Sequence, residues 1–323
     1  MKTIFLELYP FIIILGVIGN ILSLLVYSRK KFENTIFKIL FKTIAIFDLI
    51  ATIVPLHSYF LFKFNYDINL LSEFSCRFFE YLIYVISPCS TYILVYVSFD
   101  RMMNVMNSNL FKFRNSKQFQ IRLCWFIFIF NFIFYLPIPY HKELLVMMQN
   151  SSKKRTECFL NDDGFIHWVD LFYSTLIPFV LMLIFTTITI VSLFRSRKRT
   201  IGIKPKDIKF AITSISIDIS FFLLVGPLTL YFLIVNYVRI DYDTFLVYFI
   251  FFCSFYSLNY SIRFYIYIFV NSIFRREFKN MILEFFNDYC HFRYYLNQFR
   301  LFLDFLVLLF NKHILGEFNL DFI

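Results

Sequence analysis

The chain has 323 residues, of which 59% are apolar and only 17% are charged, and its mean hydropathy is +0.66. A soluble protein of this size needs more charged surface, so the composition indicates that the bilayer is the solvent. The net charge of +10 does not indicate nucleic acid, because the basic residues form short clusters between apolar runs without any zinc-finger or RNA-binding signature. We expect anionic lipid headgroups as their partners.

Seven apolar runs are long enough to cross a membrane, which takes roughly 20 residues. They are called the first to seventh spans here and lie near residues 8–28, 38–62, 75–100, 119–139, 168–194, 208–236 and 244–270. Most of the Lys and Arg residues then fall on one side of the membrane, which the positive-inside rule makes cytoplasmic. The prediction is a multi-pass plasma-membrane protein with an extracellular N-terminus and a cytoplasmic C-terminus.

The first run is too long for a signal peptide and ends in Arg29-Lys30-Lys31, without a small-residue cleavage site. After the seventh span, residues 271–288 place Phe274, Phe278, Ile282 and Phe285 on one helical face. This pattern predicts a short amphipathic helix on the inner leaflet, followed by Cys290 as a palmitoylation candidate. We therefore divide the chain into a membrane domain, 1–288, and a cytoplasmic tail, 289–323.

The third span carries residues of fixed type at both ends. Cys76 lies at its outer end and Asp100-Arg101-Met102 follows 25 residues later at its inner end, about 37 Å away along a helix. This helix resembles the third helix of rhodopsin-like, class A, seven-transmembrane receptors, in which an outer cysteine precedes an Asp/Glu-Arg-Tyr triplet. Met102 replaces the tyrosine of that triplet.

Further landmarks of that family occur in the correct order. They are Gly19-Asn20 in the first span, Ala45 and Asp48 in the second, Trp125 in the fourth, Pro178 in the fifth and Pro227 in the sixth. The end of the seventh span is similar to the NPxxY region, with Tyr267 retained and Arg263-Phe264 in place of Asn-Pro. The resemblance implies an all-α fold, a seven-helix bundle with a short eighth helix.

Several departures mark the chain as a divergent member, similar to invertebrate neuropeptide receptors or chemoreceptors. Val225 replaces an aromatic two residues before the sixth-span proline, and Thr186 lies near the position of a fifth-span tyrosine. Ile83 occupies the position where receptors for biogenic amines carry an aspartate, which disfavours an amine ligand. The remaining ligand classes are peptides, lipids and small odorants, with Tyr84, Phe159 and Trp168 as candidate pocket walls.

Cys76 and Cys158 are the two cysteines predicted to face the oxidising exterior, so a disulfide between them is expected. Asn150-Ser151-Ser152 in the same loop is a glycosylation sequon. At the inner face, Asp207 is near enough along the sixth helix to pair with Arg101 as a resting-state latch. The alternative is that Asp207 only balances neighbouring lysines in a solvated loop.

Asp48 and Arg263 are ionisable groups near the middle of the membrane, where each costs roughly 2.5 to 3.5 kcal/mol if unpaired. This cost favours a direct salt bridge, in which Arg263 replaces the sodium ion that the family resemblance implies. The alternative is that Arg263 snorkels to the inner surface. We expect Asn20, Ser90 and Asn259 to complete the polar core.

The sequence carries no protease, hydrolase or P-loop motif, so neither an enzyme nor a cofactor or metal site is predicted. The favoured function is a receptor that passes a signal from an extracellular ligand, a peptide or otherwise a small chemosensory molecule, to a heterotrimeric G protein. Two alternatives stay open: a transporter or channel that uses Asp48 and Arg263, and a receptor-like protein that has lost coupling.

Overall fold

A computed structural model describes residues 2–32, 38–53, 71–106, 116–149, 153–160, 165–198, 205–235 and 242–289. The spans form α1 (Lys2–Ser28), α2 (Lys38–Ile53), α3 (Glu73–Val105), α4 (Lys117–Phe134), α7 (Ile177–Lys198), α8 (Pro205–Val235), α9 (Tyr242–Ser261) and α10 (Arg263–Val270). Two short helices, α5 (Pro137–His141) and α6 (Phe165–Asp170), lie at the end of the bundle that the sequence predicts to be extracellular, which is called the outer side here. The helix α11 (Ser272–Tyr289) follows the seventh span. The expected helix bundle is confirmed.

Five of the described helical stretches are long and apolar enough to cross a membrane. They correspond to the first, third, fourth, fifth and sixth spans. The second span is described only up to Ile53, and the seventh is divided into α9 and α10 at Ile262. The sequence predicted one continuous seventh helix, so this division is a correction.

The third-span helix is the centre of the bundle, because α3 packs against the helices of the second, fourth, fifth and sixth spans. The first span packs on the second and the seventh, and the sixth packs on the seventh. Ser72 caps the start of α3 by accepting a hydrogen bond from the Ser75 amide at 3.0 Å, and Ser116 caps α4 in the same way through Phe119 at 3.1 Å. Both helices thus begin at an oxygen that satisfies a free backbone donor.

The surface of the bundle differs from that of a soluble protein. Large apolar groups such as Trp125, Phe126 and Leu223 are 60 to 67% exposed. The interior has an apolar core and also contains buried serines, threonines, asparagines and aspartates. This arrangement is expected when lipid surrounds the protein and polar groups find partners only inside. Trp125 therefore lies on the lipid-facing surface of α4.

The first span approaches the seventh very closely at two glycines. A Cβ atom on Gly16 would lie 2.3 Å from Ser261 Oγ, and one on Gly19 would lie 3.1 Å from the Cβ of Phe264. Small residues at such positions allow helix backbones to pack tightly in a membrane. The Gly19 landmark thus has a packing role beside the start of α10.

The long outer loop between the fourth and fifth spans contains a hairpin that the all-α expectation did not include. Strands β1 (Lys142–Gln149) and β2 (Lys153–Leu160) pair antiparallel, with Leu144 opposite Cys158. β1 also packs against α3. After α6, residues Leu171–Leu176 form a π-helical segment that leads into α7, a distortion that is frequent at functional sites.

The amphipathic helix after the seventh span is confirmed as α11. Asn271 begins it by accepting hydrogen bonds from the Ile273 and Phe274 amides, both at 3.1 Å. Phe274 is fully buried, and its ring packs 5.0 Å from Tyr27 and 5.3 Å from Tyr267. This cluster fixes α11 to the inner ends of the first and seventh spans.

An ion pair also joins α11 to the end of the first span. Arg29 binds Glu284 through two nitrogens at 2.6 and 2.8 Å and reaches Glu277 at 3.3 Å. The hydrogen bond from Arg29 lowers the pKa of Glu284, and the same bond raises the pKa of Arg29. Exposed pairs of this kind contribute little to stability, so the aromatic cluster holds α11 more firmly.

Candidate receptor core and inner end

The structure brings Asp48 and Arg263 together in the middle of the bundle. Nη1 of Arg263 lies 2.5 and 2.6 Å from the two carboxylate oxygens of Asp48, and both side chains are 1% exposed. Ser90 of α3 donates to Asp48 Oδ1 at 2.5 Å and accepts from Arg263 Nη1 at 2.6 Å. Three spans, the second, third and seventh, therefore meet at one neutral ion pair.

The surroundings of this pair come mainly from the seventh span. The Tyr260 ring lies 5.6 Å from the Arg263 guanidinium carbon, and Asn20 of the first span donates to the Tyr260 carbonyl at 3.1 Å. Nε and Nη2 of Arg263 and both polar atoms of Asn259 are buried and make no hydrogen bond to any described protein group. Among the described groups, the guanidinium is therefore hydrogen-bonded through Nη1 alone. Its position in the bundle does not fit snorkelling to the inner surface.

At the inner end of α3, Arg101 is 2% exposed, and its Nη2 lies 3.7 Å from Asp100 Oδ2. Asp100 also accepts a hydrogen bond from Asn104 Nδ2 at 2.6 Å. The guanidinium lies over the ring of Phe210 in the sixth span, 5.4 Å from its centroid. The arginine thus contacts the sixth span one turn after Asp207, whose side chain lies outside the described residues.

The other two inner landmarks, Met102 and Tyr267, are also buried. Met102 is 8% exposed and Tyr267 is 2% exposed. The Tyr267 ring packs against Tyr27 and Phe41 at 5.6 and 5.4 Å, and its hydroxyl makes no hydrogen bond to a described group. Tyr267 therefore belongs to the aromatic cluster that holds α11.

Sequence reasoning missed a second buried carboxylate, Asp218 in the sixth span. It is 1% exposed and contacts hydroxyls of two other spans. Ser98 Oγ of the third span lies 2.9 and 2.8 Å from its two oxygens, and Thr186 Oγ1 of the fifth span donates at 2.5 Å. An ionisable residue inside an apolar run was the available signal. Thr186 was noted only as a replacement for tyrosine.

Sequence reasoning also missed a polar cluster around Asp170 at the outer side. Tyr135 donates to Asp170 Oδ1 at 2.6 Å, just before the π-helical segment. Tyr173 within that segment donates to Asn131 at 3.1 Å and accepts from Tyr92 at its carbonyl at 2.8 Å. The third, fourth and fifth spans are joined there by tyrosine hydroxyls.

The predicted pocket walls lie around this outer cluster only in part. The Tyr84 ring is 5.7 Å from Tyr135, and Ile83 is half-buried beside it. Trp168 packs 6.3 Å from Phe172, and the side chain of Phe159 on β2 lies outside the described residues. Tyr84 is therefore the predicted wall that reaches the Asp170 cluster.

Cys76 is fully buried and disulfide-bonded. The strand that carries Cys158 belongs to the hairpin that packs on α3, but the side chain of Cys158 lies outside the described residues, as do Asn150 and Cys290. Two other landmarks are described: Pro178 is buried in the fifth span, and Pro227 lies within α8.

These landmarks agree with a comparison against protein families. The family model described as 7 transmembrane receptor (rhodopsin family) matches residues 19–262. The chain belongs to this family. Membership makes it a multi-pass protein of the plasma membrane, and the predicted resemblance is confirmed. The receptor interpretation is preferred over an enzyme for the same reason.

Individual relatives are more distant. Cysteinyl leukotriene receptor 1 of Homo sapiens is 27% identical over 220 residues, which cover 64% of this chain and 62% of the relative. The Sus scrofa receptor of the same name is also 27% identical over 220 residues, which cover 64% and 61%. Cholecystokinin receptor type A of Mus musculus is 25% identical over 156 residues, which cover 47% of this chain and 34% of the relative. The chain thus spans less than two thirds of the length of these relatives.

Proposed function

We propose that this protein is a receptor that transmits the binding of an extracellular ligand to a heterotrimeric G protein. The observation that carries the proposal is the course of α3. This helix joins the outer tyrosine cluster around Asp170 to the inner Asp100-Arg101 pair, with the Asp48–Arg263 pair between them. A rigid element with polar contacts to other spans at every level is suited to transmit a change in packing.

We assign the cytoplasmic side of this route to Arg101, Asp100 and Met102, with Asp207 and Tyr267 as further switch residues. The ring of Phe210 under the Arg101 guanidinium supports this assignment, because an outward swing of the sixth span would separate them. The swing would open a crevice for the G-protein tail. The N-terminus is then extracellular, the tail 289–323 is cytoplasmic, and Cys290 is a candidate for palmitoylation at the inner leaflet.

For the outer side we propose a disulfide between Cys76 and Cys158 and glycosylation at Asn150. The ligand we favour is a peptide, and a small chemosensory molecule is the second choice. Acidic residues in the outer loops support a basic peptide; they are Asp162, Asp163, Asp241 and Asp243. The names of the relatives add cysteinyl leukotrienes and cholecystokinin to the compounds worth testing.

The proposal is tested with the full-length protein in lipid nanodiscs, with purified heterotrimers of each G-protein class and a library of peptides and small molecules. We expect a library member to accelerate nucleotide exchange, and Arg101→Ala to abolish this acceleration while ligand binding persists. Ser216→Ala is the matched control, since among the described residues the Ser216 hydroxyl bonds only to the carbonyl of Ile212 in its own helix. Binding without exchange on any G protein would contradict coupling, and ion flux in liposomes would favour the transporter.

A further inference from the structure

Two of the buried carboxylates in the bundle, Asp48 and Asp218, differ in their partners. Asp48 is paired with Arg263. Among the described groups, Asp218 is bonded only by hydroxyls, those of Ser98 and Thr186, and Ser214 Oγ lies 3.5 Å from Ser98 Oγ. No basic side chain in the described part of the chain forms an ion pair with Asp218. A buried carboxylate without a cation is costly, because neutral hydroxyls replace only part of its hydration.

Among the described residues, the basic groups near Asp218 form no hydrogen bond with it. Arg263 acts on it through space, but its Nη1 binds Asp48 and Ser90. Lys209 in the same helix donates to Ser272 at 3.0 Å. The other described charged or titratable side chains on the helices packed around this half of the sixth span include Tyr96, Asp100, Arg101, Arg195, Tyr260, Tyr265 and Tyr267. Within the described part of the chain, therefore, no basic group bonds to Asp218, and a proton from solution is the source of positive charge that we consider.

We propose that Asp218 is a proton-binding site that holds the third, fifth and sixth spans together. In this arrangement the carboxylic acid donates its proton to Ser98 Oγ, whose own proton goes to the Leu94 carbonyl at 3.2 Å. Thr186 Oγ1 continues to donate to the other carboxyl oxygen. Each of the three protons then has one acceptor, and no net charge is buried.

Hydrogen-bond geometry favours a proton over an alkali cation as the bound species. Thr186 Oγ1 and Ser98 Oγ lie 2.5 to 2.9 Å from the carboxyl oxygens, which are hydrogen-bond distances. An alkali cation would have to push these oxygens apart to place itself between them. A proton fits without any movement.

The site connects protonation to helix movement. Asp218 lies nine residues before Pro227, about 13 Å along the helix, in the inner half that moves when a crevice opens. Outward movement of the sixth span separates Asp218 from Ser98 and Thr186, admits water and releases the proton to the cytosol. Because the proton is bound in the closed form and released in the open form, acid stabilises the closed form and a rise in pH favours opening.

The experiment is infrared spectroscopy of the full-length protein in nanodiscs, without ligand or G protein. A protonated carboxyl has a C=O stretching band that an ionised carboxylate lacks, and the band shifts down in D2O. We expect a band that Asp218→Asn removes and Asp48→Asn retains. A spectrum of Asp218→Asn identical to the wild type would overturn the proposal, as would loss of the band when sodium replaces choline at constant ionic strength.

A second variant keeps the test decisive if Asp218→Asn does not fold. Thr186→Val removes one hydrogen bond to the carboxyl oxygen, so it should shift the frequency of the same band, whereas Ser216→Ala should not. An unshifted band in Thr186→Val would contradict the assignment. The link to movement rests on the proposed function: Asp218→Asn should remove the rise of basal nucleotide exchange with pH. If the band is found but this rise is absent, protonation stands and the coupling to movement fails.

Discussion

Asp48 and Asp218 are both buried aspartates on α-helices of one bundle, yet they are neutralised in different ways. At Asp48 the compensation is permanent, because Arg263 is part of the chain and lies 2.5 Å away. At Asp218 the partners are hydroxyls that cannot supply charge. A fixed ion pair makes a permanent contact between helices. A carboxyl that depends on a bound proton makes a contact between helices that breaks when a rise in pH removes the proton. The predictions below test this difference.

The largest effect is expected from breaking the fixed pair. Asp48→Asn or Arg263→Asn leaves one charge buried and unpaired, which costs about 3 to 5 kcal/mol. The double variant should lose less than the two single losses combined. The loss of stability in each variant is measured by thermal unfolding in nanodiscs and by surface expression. Additive losses would show that the two residues do not interact, and Ser216→Ala provides the unaffected reference.

The next effect concerns the hydroxyl that joins the pair to the third span. Ser90→Ala removes hydrogen bonds to a carboxylate and a guanidinium, and bonds to charged groups contribute about 1.5 to 3 kcal/mol. Because the Asp48–Arg263 pair stays in place and neither charge is left uncompensated, we expect a smaller fall in stability than in the single charge variants. If Ser90→Ala unfolds as late as the wild type, the third span is not tied to the pair.

Asp218→Asn should be much milder than Asp48→Asn, although the two changes are chemically identical. Asparagine resembles a protonated aspartate, and its amide can still bond Thr186 and Ser98, so we expect a loss of about 1 kcal/mol or less. Thermal unfolding of the two variants under the same conditions makes the comparison. Equal losses would mean that Asp218 is ionised and needs its charge.

The smallest effect should come from the exposed pair at the inner surface. Glu284 has a lowered pKa because Arg29 binds its carboxylate, so its contribution is present above the unfolded-state pKa and is lost as pH falls through the lowered value. Glu284→Gln should barely change the midpoint of thermal unfolding at neutral pH and should remove a small acid-dependent decrease. A loss as large as that of Ser90→Ala would contradict this ranking.

The outline of the fold was predictable from the sequence, because a membrane leaves few alternatives. A run of about 20 apolar residues must be helical to satisfy its backbone, and the distribution of Lys and Arg favours one orientation. Landmarks such as Arg101 and Pro227 then identified the family. The amphipathic α11 followed from helical spacing alone. The hairpin β1–β2 and the division of the seventh helix at Ile262 could not be predicted from the sequence. The hairpin packs against α3, and the divided seventh helix packs against the first span.

Within the site, the sequence determined which polar residues enter the membrane, and the tertiary structure decided which of them meet. The salt bridge between Asp48 and Arg263 was predicted from the sequence, because two buried charges of opposite sign strongly favour contact. Asp218 was missed because its partners, Ser98 and Thr186, are small neutral residues with no sequence signal of their own. Only the crossing of the third, fifth and sixth spans brings a carboxyl and two hydroxyls within hydrogen-bond distance. The hydrogen bonds formed there determine whether the carboxyl can hold a proton.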